Sequence, residues 1–384
     1  MFARVKRVRQ KRSMFLTVIA LIIGIVVLRK LIHYSVQKHQ EMSDEYADRR
    51  ARYDPSPHVD TPFQYISPEV LETWKSRDYL VALGVLSPDI SVRRRRRFLQ
   101  RMTCWTFPDV ATKRNNFTGA MIPLYVLARH PVHNFKYSDI LKEEARHWED
   151  IITLPIDEGR VSTNKKMGDG TFWGPETEVG MSRKTFMWLD LALNLFGTAT
   201  FISKADDDMY LRVPQQLANI RVLPTHKLYY GYSMPNRYPY QFRYADGSVF
   251  TISRDIAEKV VGYRPLRRLA NQSYDRAYLK HYLLLFMDHE DMMVGHTIFR
   301  VAKDVTYATV RRCHFHNIYG RFDVSPLTFN SIMLHNIKES EYADLMRHFS
   351  NIKPTPTRYV KTSEGIFFEC EFHSGRPLHL GGRW

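Results

Sequence analysis

The chain has 384 residues, 44% hydrophobic and 25% charged, which allows a sizeable core and excludes wholesale disorder. Its formal charge of +16 at pH 7 admits nucleic acid, an anionic membrane face or a phosphorylated ligand, so the distribution of charge decides between them. Arg4, Lys6, Arg7, Arg9, Lys11 and Arg12 crowd the amino terminus, an arginine run fills 93–97, and the remaining basic residues are scattered. No basic stripe interleaved with aromatics results, and no nucleic-acid partner is expected.

Residues 14–28 (MFLTVIALIIGIVVL) carry no charge, and Leu31 and Ile32 extend the stretch past Arg29 and Lys30. The run is short for a span of roughly 20 residues, although basic side chains can snorkel at its end. A cleaved signal peptide is the rival, but no small-x-small cleavage site follows. The expected organisation is a cytosolic basic tail at 1–13 and a signal-anchor transmembrane helix at 14–32. A stem would fill 33–76 and a lumenal domain 77–384, a single-pass type II arrangement set by the basic tail. Sequons at Asn116 and Asn271 agree with it. The stem is read from polar, proline-punctuated sequence such as YDPSPHVDTPFQYISPE.

An apolar run at 78–85 opens the folded part and predicts a strand ending at the turn signal Ser87-Pro88. Further strands are predicted near 120–127, 200–203, 228–232 and 249–252. Helical patterns fall near Leu99 and over 137–148, 182–195, 214–220 and 255–261. This alternation predicts an α/β fold with a sheet flanked by helices, in one domain of about 300 residues. The three cysteines, Cys104, Cys313 and Cys370, contain no C-x-x-C pair and permit one disulfide plus a free thiol.

The strongest local signal is the strand at 200–203 running into Asp206, Asp207 and Asp208. Ligands of α/β sheets bind beyond the carboxyl ends of strands. Adjacent carboxylates repel, and a hard divalent ion that also bridges substrate phosphates removes the conflict. An acidic surface turn before the helix near Val213 is the plainer reading. A second cluster, Asp288-His289-Glu290-Asp291, precedes a helical pattern at 296–301. It could be an N-cap, or a general base acting on a hydroxyl. For the arginine run a solvated helix face is the default, with one or two arginines reaching a diphosphate as the alternative.

With both clusters in view, residues 79–347 resemble the β1,3-galactosyltransferase/N-acetylglucosaminyltransferase superfamily. The likeness is closest to its trypanosomatid branch of UDP-Gal or UDP-GlcNAc-dependent transferases. The motifs run in order: Gly84-Val85-Leu86-Ser87 with Arg94, Arg95 and Arg101...Trp105, then Glu149-Asp150-Ile151-Ile152, then Lys184-Thr185. They continue with Lys204-Ala205-Asp206-Asp207-Asp208, then Tyr238-Pro239-Tyr240 with Gly247...Ser253-Arg254-Asp255, and Glu290-Asp291-Met292-Met293-Val294-Gly295. Two departures stand out: Arg101-Met102-Thr103-Cys104-Trp105 is one residue longer than the family's Arg-x-Thr-Trp, and Gly247-Ser248-Val249-Phe250 replaces its Gly-Gly-Tyr.

The resemblance implies a GT-A-like nucleotide-sugar transferase fold with a mixed sheet, in the Golgi membrane. The implied reaction is inverting transfer of galactose or N-acetylglucosamine from a UDP-sugar to a glycan acceptor on a glycoprotein or glycolipid, in β1,3 linkage. Mn²⁺ or Mg²⁺ would be held by Asp208 and by His335, with His314 and His316 as rivals to the latter. Asp206, Asp207, Arg94, Arg101 and Lys204 would contact the nucleotide sugar. Asp291 would be the base, with Glu290 orienting the acceptor or raising the pKa of Asp291. Homo-oligomers or complexes with other transferases are compatible with this reading. Two other classes compete with it: a catalytically inactive, membrane-anchored carbohydrate-binding protein of the same fold, and a calcium-binding structural protein. The lack of an EF-hand pattern disfavours the latter.

Overall fold

The structure is a computed structural model and describes residues 61–167, 171–236, 241–318 and 326–370. A compact unit begins at Asp60. The segment expected to cross the membrane, 14–32, lies outside the described residues, as do the tail and most of the stem. Among the described residues no helix is long and apolar enough to cross a membrane. The expectation of a membrane-anchored, type II Golgi protein is corrected accordingly, and no membrane topology enters the functional reading below. The last part of the expected stem is folded: Pro68–Ser76 is a helix with Pro68 in its first turn, and its Trp74 is fully buried edge-on to Phe117.

The sheet is mixed and has nine strands among the described residues. β1 (Val81–Leu86) is an interior strand, third from one edge, and every residue of it is buried. Val81, Leu83 and Val85 belong to one core layer, and Ala82 and Leu86 to the other, as period-two alternation in a doubly covered strand requires. Gly84 faces the second layer, where an added Cβ would fall 2.3 Å from the indole of Trp188. That indole donates to the Ser203 carbonyl at 2.8 Å, locking the helix Pro175–Leu195 across the sheet.

From β1 the chain builds β2 (Met121–Arg129) and β3 (Ile151–Asp157) on one side, and then a separate antiparallel pair, β4 (Lys166–Met167) and β5 (Thr171–Phe172). After the long helix it returns to add β6 (Phe201–Asp206), parallel to β1 on the other side, with Leu86 opposite Asp206. That reversal is a topological switch point, where a crevice opens at the carboxyl ends of the strands. Beyond β6 come β9 (Phe242–Ser253), antiparallel to it, and β8 (Leu228–Asn236). The edge is formed by β10 (Thr306–Thr309), β14 (Gly365–Phe368) and β13 (Tyr359–Thr362). A small sheet joins β7 (Met209–Leu211), β12 (Met333–His335) and β11 (Phe315–Asn317). Cys313 and Cys370 form a disulfide, and Cys104 remains a buried thiol.

Candidate metal and nucleotide site

The acidic triplet ends β6 at the switch point, and its three carboxylates part company. Asp207 turns inward, accepting from Ser87 Oγ and Arg93 Nη1, both at 2.5 Å. Asp208 accepts from His335 Nε2 at 2.9 Å and from Arg93 Nη1 at 3.0 Å. Asp206 points the other way, to Lys204 Nζ at 2.6 Å. Antiparallel pairing of β12 with β7 sets His335 opposite Met209, which is how a residue 127 positions away reaches Asp208.

Oxygen atoms of Asp206 and Asp208 and a ring nitrogen of His335 lie within 4.8 Å of one another, a donor set that could hold a divalent cation. Burial pushes the Asp208 carboxyl up, but His335 and then Arg93 outweigh it and hold the group well below the usual carboxylate range. Burial likewise works against charge on His335, and Asp208 overcomes it, raising the imidazole to about 9. The rivals His314 and His316 lie elsewhere. His314 sits with Cys313 and Cys370, and His316 Nε2 meets Ser331 Oγ at 2.8 Å.

Lys204 is fully buried and its ammonium donates to Asp206 Oδ1, the Gly247 carbonyl and Glu290 Oε1 at 2.6, 2.6 and 2.8 Å. It is a clamp between the two acidic clusters and, like Glu290 and Asp291, is not among the residues that line the cavity. Gly247 makes the clamp possible, because a Cβ there would fall 2.3 Å from Glu290 Oε1. Glu290 and Asp291 form the first turn of the helix Glu290–Val301, which starts six residues earlier than the sequence pattern indicates. Burial would raise Glu290, but Lys204 holds it below the ordinary value. Asp291 forms no ion pair with it: burial and then the Glu290 charge push the carboxyl up to about 7, against a hydrogen bond from the Met292 amide at 2.7 Å and the weaker pull of Lys204.

The arginine run separates by helical face. Arg94 and Arg95 are exposed, whereas Arg93, Arg96, Arg97 and Arg101 are buried on the helix Ser91–Met102. Arg97 and Arg101 share Glu144, and Arg101 also grips Asp150 through two bonds of 2.7 Å. Of the arginines on this helix, Arg93 lines the cavity, whereas Arg94 and Arg101, the expected nucleotide contacts, are not among its lining residues. Spacing of 93, 97 and 101 marks one helical face, a signal obscured by reading arginine as a solvated residue. Ser253 and Asp255 of the acceptor-side motif are structural, since the Ser253 hydroxyl donates to Asp255 and accepts the Leu228 amide. Tyr238, Pro239 and Tyr240 lie outside the described residues.

A cavity of about 760 Å³ runs across the carboxyl ends of β6, β1 and β2, lined by Asp206–Asp208 and His335 at one end and by His130, Pro131 and Val132 at the other. Two further carboxyls carry no local motif that marks them. Asp246 carries charge felt by both His335 and Asp291, and Glu178 lines the cavity itself.

No protein-family model and no curated protein sequence matches the chain. Among solved structures it is similar to mouse xyloside xylosyltransferase 1, at 8% identity and a TM-score of 0.34, over 76% of this chain and 98% of that one. It is also similar to the glycosyltransferase GlyE of Streptococcus pneumoniae TIGR4, at 11% identity and a TM-score of 0.34, over 74% and 67% of the two chains. Overlaps this loose carry no weight for the reaction, which has to be read from the site.

Proposed function

We propose that the chain is a metal-dependent, inverting hexosyltransferase that moves galactose or N-acetylglucosamine from a UDP-sugar to a glycan hydroxyl, forming a β1,3 linkage. The observation that carries the reading is the Asp206, Asp208 and His335 cluster at the β1/β6 switch point, opening on a cavity large enough for a nucleotide sugar. The donor set suits Mn²⁺ or Mg²⁺, which when bound neutralises charge on a departing diphosphate. Arg93 holds Asp207 and Asp208 in place and adds positive charge on the same side. Asp291 accepts the proton of the acceptor hydroxyl while that oxygen bonds to the anomeric carbon and the bond to the diphosphate breaks, releasing UDP. A carboxyl near pH 7 in affinity suits a general base working at that pH. Lys204, tied to Asp206 and Glu290, fixes the distance between the metal end and the proton end.

The test is UDP release by the full chain given UDP-galactose, UDP-N-acetylglucosamine and a panel of other UDP-sugars, with Mn²⁺ and a glycan acceptor mixture. Release that stops on chelation supports the reading. UDP binding without release under any combination points to the inactive carbohydrate-binding alternative.

A further inference from the structure

Glu178 stands on the helix Pro175–Leu195, and together with Thr177, Met181 and Lys184 it forms the stripe of that helix that lines the cavity. Lys184 is committed elsewhere, its ammonium pairing with Glu158 and donating to the Ser87 carbonyl at 3.2 Å. Glu178 has no such partner. The residue is 4% exposed, and its Oε1 is out of reach of solvent with nothing to hydrogen-bond. A buried carboxyl oxygen left unpaired costs about 1–3 kcal/mol, so a native protein retaining one calls for an explanation. Burial and the Glu290 charge push this carboxyl up to about 8, which keeps it a neutral acid near pH 7. In that state it offers one O–H donor and one carbonyl acceptor on adjacent atoms.

Its position narrows the ligand. The charges that act on Glu178 are those of Glu290, His289, Asp288 and Asp291, while its neighbour Thr177 donates to the Arg160 carbonyl in the segment after β3. Trp173 also lines the cavity and contacts the ring of His289 at 5.7 Å between centroids. A flat apolar ring beside a donor–acceptor pair suits a pyranose, which presents a C–H face and neighbouring hydroxyls. On the proposed reaction the nucleobase lies away from Asp291, because the anomeric carbon sits between the diphosphate and that carboxyl.

We infer that Glu178 is a specificity-determining residue that hydrogen-bonds hydroxyls of the hexose carried by the nucleotide sugar, with Trp173 as the surface beneath it. This rests on the proposed transferase reading and deepens it, assigning Glu178 to the sugar and leaving UDP to the rest of the site. The experiment measures equilibrium affinities of the full chain for UDP, UDP-galactose and UDP-N-acetylglucosamine in Mn²⁺, for wild type, Glu178→Ala and Glu178→Gln. Glu178→Ala is expected to keep UDP within about twofold of wild type and to lose tenfold or more for the better-bound UDP-sugar. Glu178→Gln, which retains a donor and an acceptor, is expected to recover most of that loss. Unchanged UDP-sugar affinity in Glu178→Ala, or equal losses for UDP and UDP-sugar in both variants, overturns the inference while leaving the transferase reading intact. Wild-type protein that binds no UDP overturns both.

Discussion

Two acidic clusters meet across Lys204, and the same residue types behave differently in each. At the end of β6, Asp207 and Asp208 are surrounded by Arg93 and His335, and Asp208 stays ionised well below the usual carboxylate range. At the start of the helix Glu290–Val301, only Glu290 has a cation, and burial leaves Asp291 near neutrality. Environment, not residue identity, thus divides a charge-holding end from a proton-handling end, as catalytic carboxyl pairs generally require.

Removing the charge-holding end should have the largest effect. Asp208→Ala is expected to lower UDP release by at least about 10³-fold, given the several kcal/mol that metal polarisation supplies, and to abolish Mn²⁺-dependent UDP binding. Asp291→Asn should reduce release by about 10²–10⁴-fold with UDP affinity unchanged, because it removes only the proton acceptor. The pH profile sharpens the same contrast. Asp291 accepts a proton only when ionised, so kcat/KM in wild type should rise with pH up to about 7 and then level off. A wild-type profile flat from pH 5 to 7 would remove Asp291 from that role.

Outside both clusters the expected effects pass from catalysis to stability. Arg101→Ala takes from half-buried Asp150 its arginine and leaves buried Glu144 with Arg97 alone, and should cost about 3 kcal/mol in a denaturant titration while UDP affinity in the folded protein holds. Arg94→Ala, on the exposed face of the same helix, should change stability by no more than about 0.5 kcal/mol and UDP affinity not at all. Equal effects of the two variants would mean the helix faces are misassigned.

Sequence reasoning reached the parts of this molecule where local pattern and tertiary role coincide. An apolar strand followed by three carboxylates is such a case: β6 and its triplet stand where the pattern indicated, and His335 joins Asp208. It failed where a polar residue is buried by a partner distant in sequence. Arg101 meets Glu144 and Asp150 from another helix and the loop after it, and Lys204 is enclosed by Gly247 and Glu290. Glu178 sits in an unremarkable helix start, Pro175-Glu176-Thr177-Glu178, and only the packing of that helix over the cavity distinguishes it from its half-buried neighbour Glu176. The helix Pro68–Ser76 was hidden for a related reason, since Trp74, with half-buried Val70 and Leu71, packs against core residues distant in sequence.

The most direct measurement is calorimetric titration of UDP into the full chain with Mn²⁺ and again with a chelator, for wild type, Asp208→Ala and Asp291→Asn. Binding is expected to require Mn²⁺, to vanish in Asp208→Ala and to persist in Asp291→Asn. Equal UDP affinity with and without the metal, or loss of binding in Asp291→Asn alone, would contradict the division between a metal end and a proton end.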